Sequence, residues 1–366
     1  MIKMKGHAAL AAVVIMLSGL FLFMPDTVSD ATVGALSLCA SRVIPSVFPY
    51  SVLSSLFVSS GGADALDRVL SPISSRLFGR RQGASALLLG LLFGFPLGAL
   101  TVGAQHRSGV LSASEASRML TFVCCASPTF PVFVVGRGYF GSTAVGLAIW
   151  GTQAAVSVLI GMMLAHKKND AQSAPTVSPA AYIDKSISAL ITGAVTDASR
   201  VMLNVCGSVT FFSILSAVIS HLLCGITDSA IPSLLISAAF EFSSGTAAAA
   251  GAYSAGLVSR AAAVGICGFS IGFAGMSVMF QTASVCEGIP LASHLCGKLV
   301  CGAVTAAVTY IVSDHPAFAP VFSSADIGTV PSHISVFAYA APTVMLITFL
   351  IFLFYKKSCK NARNGL

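Results

Sequence analysis

Residues 84–105 read ASALLLGLLFGFPLGALTVGAQ, an apolar run that Gly94, Pro96 and Gly98 interrupt near its middle. Glycine and proline inside a hydrophobic segment break a helix, so this stretch predicts two helical arms joined at a break. Each arm has about ten residues and is about 15 Å long, whereas the hydrocarbon core of a bilayer is roughly 30 Å thick. Because neither arm can cross a membrane alone, the stretch predicts a re-entrant helical hairpin.

A second stretch, residues 231–257, has the same form and reads IPSLLISAAFEFSSGTAAAAGAYSAGL. Its middle, FEFSSG at 240–245, carries Glu241, whereas the middle of the first stretch carries no acidic residue. Short, interrupted hydrophobic segments at matching places in two halves of a membrane protein indicate the binding site of a transporter. The two stretches therefore predict a pair of hairpins whose tips meet near the middle of the bilayer.

The composition agrees with a chain embedded in lipid. Of the 366 residues, 55% are hydrophobic and 9% are charged, and the mean hydropathy is +0.88, whereas soluble domains carry about 25% charged residues. The net charge of +7 does not indicate nucleic-acid binding, because most positive residues lie near the chain ends and in short loops, where they orient the protein. The ten cysteines include no C-x-x-C pair, which favours apolar packing over metal binding.

The first half of the chain predicts a series of membrane elements. Lys3 and Lys5 precede an apolar run that we interpret as a retained first span rather than a cleaved signal peptide. The sequence S-x-x-E at 112–115 predicts a capping box that opens a helix. In chain order, the predicted elements are a first span at 7–24, an outer loop at 25–30, a proline-kinked span at 32–58, an interfacial helix at 64–81, the first hairpin, a span at 120–135 broken at 127–131, and an unbroken span at 141–165.

The same order returns in the second half. The sequence ASRV at 40–43 recurs at 198–201. The elements that follow are a span at 206–223, the second hairpin, a glycine-broken span at 261–285 and an unbroken span at 292–312. The recurrence predicts the following division of the chain: a first span at 1–30, one repeat at 31–165, a cytoplasmic linker at 166–182, a second repeat at 183–313, and an outer loop, last span (336–355) and cytoplasmic tail at 314–366.

Counting crossings gives the two repeats opposite orientations. Each repeat crosses an odd number of times if its hairpin does not cross, so the repeats enter the membrane from opposite sides. With one span before them and one after, the chain makes about eight crossings and has two hairpins, an inverted-repeat architecture typical of transporters. The prediction is an all-α, multi-pass protein of the bacterial cell membrane. Both termini are cytoplasmic, because both carry lysines.

Six motifs carry a resemblance to a known family: IPSVFPY at 44–50, GFPLGA at 94–99, GVLSASEA at 109–116, SPTF at 127–130, FEFSSG at 240–245 and GMSV at 275–278. In this order they resemble the sporulation integral membrane proteins of the YlbJ type, in the nucleoside-recognition (Gate) superfamily. The resemblance covers residues 40–312. It implies a multi-pass membrane protein that endospore-forming bacteria need for spore development, with an unproven transport role. The superfamily is also similar to concentrative nucleoside transporters, whose paired hairpin tips and broken helices form substrate and cation sites.

Glu241 is the strongest candidate functional residue, because a carboxylate inside a membrane segment costs several kcal/mol. It is expected to bind a proton, a sodium ion or a substrate, and the alternative is a local cap on free amides at the tip. Ser243 and Ser244 supply hydroxyls beside it, unless each bonds the helix backbone instead. Gly94, Pro96 and Gly98 complete the predicted site at the first tip.

The two broken spans supply further candidates, because half-helix ends expose amides and carbonyls that hold ions or polar solutes. These candidates are Ser127, Thr129, Ser270, Ser277 and Gln281. For each, the alternative is a hydrogen bond that satisfies a kinked helix or joins two helices. Arg42 and Arg200 begin equivalent spans, and Asp197 lies near Arg200 in the sequence; snorkelling or interfacial pairing best explains these arginines.

The leading hypothesis is a secondary transporter or gated permeation pathway for a small polar solute, with a proton or sodium ion as coupling partner. The first alternative is a non-transporting membrane scaffold for spore assembly. A remote alternative is an intramembrane serine protease, since GFSIG at 268–272 matches G-x-S-x-G and His294 follows. We predict that the chain is not an enzyme. The sequence predicts no cofactor, no metal and no nucleic-acid partner, and it leaves homo-oligomerisation open.

Overall fold

The computed structural model describes residues 2–79, 83–165, 186–224 and 229–314, and its regular structure in these ranges is helical throughout. The predicted linker, the residues from 315 onward with the predicted last span, and Arg80 and Arg81 lie outside the described residues. Five helical stretches are long and apolar enough to span a membrane: Pro25–Ser59, Thr143–Ala165, Ile187–Leu223, Arg260–Val285 and Ala292–Asp314. The prediction of an all-helical, multi-pass membrane protein is therefore confirmed.

The N-terminal region consists of α1 (Ile2–Phe23), α2 (Pro25–Leu38), a π-helical segment π1 (Cys39–Val43) and α3 (Ile44–Ser59). The predicted outer loop at 25–30 is wrong, because α2 begins at Pro25. Proline is well suited to the first turn of a helix, where its missing N–H would have no partner, and Asp26 favours the positive end of the helix dipole. Only Met24, with φ −128°, separates α1 from α2.

The predicted proline kink takes the form of the wider π turn. Pro45 lies in the first turn of α3 and Pro49 lies inside it. Pro45 cannot donate to the carbonyl one turn earlier, and the helix loosens into the π turn just before it. Next to Pro45, Ser46 Oγ donates to Arg42 O at 2.7 Å.

The helix α4 (Gly62–Phe78) occupies the region of the predicted interfacial helix, and α5 (Gly83–Phe93) packs against it. Ser85 Oγ on α5 donates to Asp67 on α4. The first predicted hairpin corresponds to α5 and α6 (Phe95–Arg107), with Gly94 between them at φ +98°, a conformation that favours glycine. The two helices fold back on each other, since a Cβ built on Gly90 would lie 3.6 Å from the Cα of Gly98. We call Gly94 the first tip.

The first broken helix consists of α7 (Ala113–Val123) and the π-helical segment π2 (Phe130–Tyr139), and α8 (Thr143–Ala165) follows unbroken. The predicted capping box is confirmed: Glu115 N donates to Ser112 Oγ, and Ser112 N donates to the Glu115 carboxylate. The break begins at Cys124, earlier than the predicted 127–131. The residue before a proline avoids helical backbone angles, so the helix ends ahead of Ser127-Pro128.

The second half begins with α9 (Ile187–Cys224), an unbroken helix of 38 residues that contains both the second ASRV sequence and the predicted span at 206–223. The second predicted hairpin corresponds to α10 (Ile231–Phe240) and α11 (Phe242–Ser254), and we call Glu241 between them the second tip. The second broken helix is α12 (Arg260–Phe273) with α13 (Gly275–Val285), and α14 (Ala292–Asp314) is the unbroken span. The order of these helices is the predicted one, but α9 begins at Ile187, well before the predicted span at 206–223.

Two long packings frame the interior. The continuous helical stretch α2–π1–α3 runs antiparallel to α9, because Thr27 contacts His221 at 3.5 Å and Ser55 Oγ donates to Asp197 at 3.3 Å. The helices α12 and α14 approach so closely that a Cβ on Gly272 would lie 2.8 Å from the Cα of Gly302.

Candidate functional site

Three aromatic rings bring the two tips and the first broken helix together. Phe95 follows the first tip, Phe242 follows the second, and Phe130 opens π2. The ring of Phe242 lies 5.2 Å from that of Phe95 and 5.1 Å from that of Phe130, centroid to centroid, and both pairs are edge-to-face. Such pairs contribute about 0.5–1.5 kcal/mol beyond the area they bury. The residues that directly follow the two tips are therefore in contact with each other.

The first tip packs directly on the break of the first broken helix. A Cβ on Gly94 would lie 3.6 Å from Ser127 N and Ser127 Oγ. The hydroxyls of Ser127 and Thr129, both buried, are 2.8 Å apart. The Val123 carbonyl oxygen lies so close to α5 and α6 that a Cβ on Gly90 would be 1.9 Å from it and one on Gly98 would be 2.3 Å from it. Glycine at these two positions is what lets the carbonyl end of α7 reach the first tip.

Two polar side chains of α14 complete this first break, and the sequence did not point to either as a ligand there. Lys298 is 1% exposed, and its Nζ donates to Cys124 O at 2.8 Å. His294 is fully buried, and its Nδ1 lies 2.7 Å from Leu120 O. Both carbonyls belong to the end of α7, where a helix leaves its last carbonyls without internal partners.

The second tip carries the predicted carboxylate. Glu241 is fully buried and caps the N-terminus of α11. Its Oε2 accepts hydrogen bonds from Ser243 Oγ at 2.5 Å and from Ser244 N at 2.6 Å. Its Oε1 is buried and has no protein partner. The cap predicted as an alternative role therefore exists, and one carboxylate oxygen is left over for another ligand.

The break of the second broken helix packs against this tip. A Cβ on Gly275 would lie 3.1 Å from Phe240 O and 3.2 Å from the Cα of Glu241. Ala274 has φ +74° and Gly275 has φ +76°, so a left-handed turn separates α12 from α13. Ser270 and Ser277 flank this turn, and both are fully buried with hydroxyls that have no protein partner.

A cleft of about 610 Å³ opens beside the second tip, between α2, α9, α10 and α11. Eight serines contribute to its lining, together with Arg42 of π1 and Tyr139 of π2. Ser244 connects the cleft to the tip, because its backbone N binds Glu241 while its hydroxyl contacts Ser213 Oγ at 2.5 Å. The Arg42 guanidinium carbon lies 5.7 Å from the centre of the Tyr139 ring. Alanine and leucine side chains supply most of the exposed surface of the cleft, and the serine hydroxyls with Arg42 supply its polar groups.

The other predicted residues are placed as follows. Pro96 lies in the first turn of α6, and its side chain is outside the described atoms. Gln281 is half-buried on α13, and the contacts of the described residues do not join it to Glu241 or to the tips. Ser270 Oγ and His294 Nε2 each lack a hydrogen-bond partner, so no hydrogen bond joins the proposed protease pair. Among the described residues, no group of three His, Cys, Asp or Glu side chains could hold a metal ion.

Sequence reasoning missed Lys298 and the serine-lined cleft. Lys298 is an ionisable residue inside a predicted span, so the rule that selected Glu241 would also have selected it. Ser213, Ser216 and Ser220 recur at helical spacing on α9, as Ser37 and Ser41 do across α2 and π1. That spacing places hydroxyls on one face of each helix, and it is a usable signal for a polar surface inside a membrane protein.

Comparison with known proteins gives two matches. Residues 40–143 match the family model called Gate and described as nucleoside recognition. Over 231 residues the chain is 23% identical to the sporulation integral membrane protein YlbJ of Bacillus subtilis (strain 168), which covers 56% of this chain and 57% of that protein. The chain therefore spans little more than half the length of the curated relative that it matches. No solved structure matches it. The similarity predicted from the six motifs is confirmed.

Proposed function

We propose that this chain is a secondary transporter, or a permeation pathway, for a small polar solute, and that it acts in spore formation. The observation that carries the proposal is the meeting of two helical tips and two broken helices around a fully buried carboxylate with one unused oxygen. In lipid, an interrupted backbone is tolerated only where protein buries it or where it lines a water-filled cavity. A buried carboxylate beside such interruptions is a site for a proton, a cation or a solute.

The proposal includes two inverted repeats, which several independent matches support. In the proposed alignment of the two halves, Gly94 corresponds to Glu241 and Gly98 corresponds to Gly245. Glu241 follows Gly94 by the same number of positions as Gly245 follows Gly98. At that separation Ser112 also pairs with Ser259, and both serines cap a helix with φ near −67°. The first long helices of the two halves, α2–π1–α3 and α9, run antiparallel, as equivalent helices of inverted repeats must.

The proposal also makes both tips re-entrant. The arms α5, α6, α10 and α11 have 10 to 13 residues. Helices of this length extend about 15–20 Å, which is too short for a hydrocarbon core of roughly 30 Å. Both tips then lie near the middle of the bilayer. With the predicted last span the total is about eight crossings, and both termini face the cytoplasm.

The solute would enter through the serine-lined cleft and reach the second tip. Ser213 and Ser244, which contact each other, lie on the way from the cleft to Glu241. Hydroxyls can both donate and accept hydrogen bonds, so they can bind the polar groups of a neutral or a charged solute. Glu241 Oε1 would take the coupling ion or a donor group of the solute, while Oε2 keeps α11 capped. Alternating access would come from one repeat rocking against the other.

Flux through proteoliposomes tests the proposal. Purified protein is reconstituted and screened against nucleosides, dicarboxylates and metal ions, and any solute carried is then measured for Glu241→Gln. The matched control is Glu287→Gln, which removes the charge of an exposed glutamate in the turn after α13. We expect Glu241→Gln to abolish flux and Glu287→Gln to preserve it.

Two outcomes would contradict the proposal. One is unchanged flux in Glu241→Gln. The other is an absence of flux for every solute together with normal sporulation of a strain whose only copy of the gene carries Glu241→Gln. The second outcome would favour the non-transporting scaffold, because a scaffold has no use for the spare carboxylate oxygen.

A further inference from the structure

Lys298 is the buried charge that the proposed function leaves without a role. It lies in the N-terminal third of α14 and is 1% exposed. Among the described residues, no carboxylate lies within ion-pair distance of its ammonium group. Removing an ammonium group from water costs several kcal/mol, so a buried lysine needs compensation from its surroundings. The groups that provide this compensation identify the kind of site that the lysine fills.

The first of these groups is the carbonyl end of α7. The helix ends at Val123, and its last carbonyls carry the negative partial charge of the helix dipole. Lys298 Nζ donates to Cys124 O at 2.8 Å, just past this end. One turn earlier on α14, His294 Nδ1 lies 2.7 Å from Leu120 O. Two polar residues on successive turns of α14 therefore contact carbonyls at the end of α7.

The second group is an aromatic ring from the first tip. Lys298 Nζ lies 5.5 Å from the centre of the Phe95 ring, a distance at which a ring face attracts a cation. Phe95 in turn touches Phe242 of the second tip. The ammonium group is thus held between a helix carbonyl and the aromatic contact that joins the two tips. Unwound carbonyls at a helix break are the ligands with which membrane transporters hold free monovalent cations.

We propose that Lys298 is a tethered cation that permanently fills a monovalent-cation position at the first break. In this chain the position would therefore bind no free Na⁺ or K⁺, and a coupling ion would have to act elsewhere. The inference concerns the charge at one break, and its test measures ion-dependent stability rather than flux. Either it or the proposed function can fail without the other.

The experiment compares thermal unfolding of the full-length protein in detergent at equal concentrations of NaCl, KCl, LiCl and choline chloride. Fluorescence of Trp150, the single tryptophan, reports unfolding. The variants are Lys298→Met, which removes the charge and the donor, and Lys298→Gln, which keeps a donor without the charge. The controls are Lys298→Arg, which keeps a cation, and Arg137→Met, which removes an exposed cation from π2.

We expect Lys298→Met and Lys298→Gln to lose several degrees of Tm in choline chloride and to regain most of this loss in one of the metal salts. The parent, Lys298→Arg and Arg137→Met should not show this recovery. In addition, radioactive sodium should bind the two neutral variants more tightly than it binds the parent. The proposal is overturned if the cation dependence of both neutral variants equals that of the parent. It is equally overturned if neither variant is recovered folded when Na⁺ is present throughout purification, since Na⁺ should then replace the missing ammonium.

Discussion

Both halves of the molecule interrupt apolar helices, and a charge of opposite sign lies at one interruption in each half. In the first half, the tip is an uncharged glycine and the adjacent helix break receives the Lys298 ammonium on its carbonyl side. In the second half, the tip is Glu241, whose carboxylate caps the amide end of α11. Each charge therefore faces the end of a helix dipole that stabilises it. The difference teaches that the exposed end of an interrupted helix determines the sign of the charge that it stabilises. A carbonyl end stabilises a cation, and an amide end stabilises an anion.

The halves also differ in how tightly the breaks are packed. At the first break, the Val123 carbonyl lies against Gly90 and Gly98, whereas at the second a left-handed turn at Ala274 and Gly275 contacts the tip backbone. The first break has a polar partner for the carbonyls of both Leu120 and Cys124, whereas the second tip, on which the second break packs, leaves Glu241 Oε1 without one. In the proposed function, the first half is therefore the fixed support and the second half receives the ligand.

The largest expected effect comes from filling the glycine contact at the first break. In Gly90→Ala, the new methyl group would lie 1.9 Å from the Val123 carbonyl oxygen, so α5 and α7 must separate. Overpacking of this kind costs about 1–3 kcal/mol and sometimes more, and a clash with backbone should reach the upper end. Thermal unfolding in detergent measures the loss. Gly151→Ala on α8, where no atom lies within 4 Å, is the control and should not lower Tm; equal losses in the two variants would show that the close packing is not needed.

Removing the carboxylate at the second tip should have the next largest effect on stability. Glu241→Ala leaves the Ser243 hydroxyl and the Ser244 amide without their acceptor. Unsatisfied buried donors cost about 1–3 kcal/mol, and a lost N-cap costs about 0.5–2 kcal/mol. Glu241→Gln keeps an amide oxygen to accept from Ser244 N and should lose less than half as much Tm. If both variants are equally destabilised, charge rather than capping stabilises this tip.

A smaller effect is expected from His294→Leu. This change removes the donor to Leu120 O and leaves one buried carbonyl without its partner, at a cost of about 1–2 kcal/mol. His221→Leu, at an exposed histidine of α9, is the matched control and should change Tm little. Unfolding of both variants in the same detergent gives the comparison. A parent-like Tm in His294→Leu would mean that the end of α7 does not need a polar partner from α14.

The smallest expected effect is a gain in stability at the second break. Ala274 has φ +74°, and a left-handed conformation costs an L-residue about 1–2 kcal/mol. Ala274→Gly relieves this strain, but glycine also loses more entropy on folding, so we expect a net gain of about 0.5–1 kcal/mol. The control Ala283→Gly, at an exposed position inside α13, should instead lower stability by about 0.5–1 kcal/mol. A loss in both variants would contradict the presence of strain at Ala274.

The interruptions of this fold were predictable because their causes are local. Gly94 and Pro96 break a helix through their own backbone chemistry, and Ser112 with Glu115 caps one. Glu241 was predictable because a lone acid in an apolar segment is conspicuous. The start of α2 was missed because Pro25 and Asp26 are typical of a loop and also of the first turn of a helix. The sequence could not decide between the two without the packing of α2 on α9.

The partners of the breaks were not predictable, because they depend on tertiary contacts. Nothing near Lys298 in sequence indicates that its ammonium reaches Cys124, which lies far earlier in the chain. Likewise, the cleft is assembled from serines of α2, α9, α10 and α11, and only the fold brings them together. Sequence therefore located where backbone groups become free, and the structure was needed to find which side chains satisfy them.

The length of α9 has a mechanical consequence. A helix of 38 residues is about 57 Å long, and even a steeply tilted helix needs only about 40 Å to cross the hydrocarbon. About 15 Å or more of α9 therefore lies outside the hydrocarbon, in the headgroup region or in water, and the contact between Ser55 and Asp197 places part of α3 beside α9. Because α9 is an unbroken helix, a small rotation of its part within the bilayer produces a larger displacement of its end outside the bilayer.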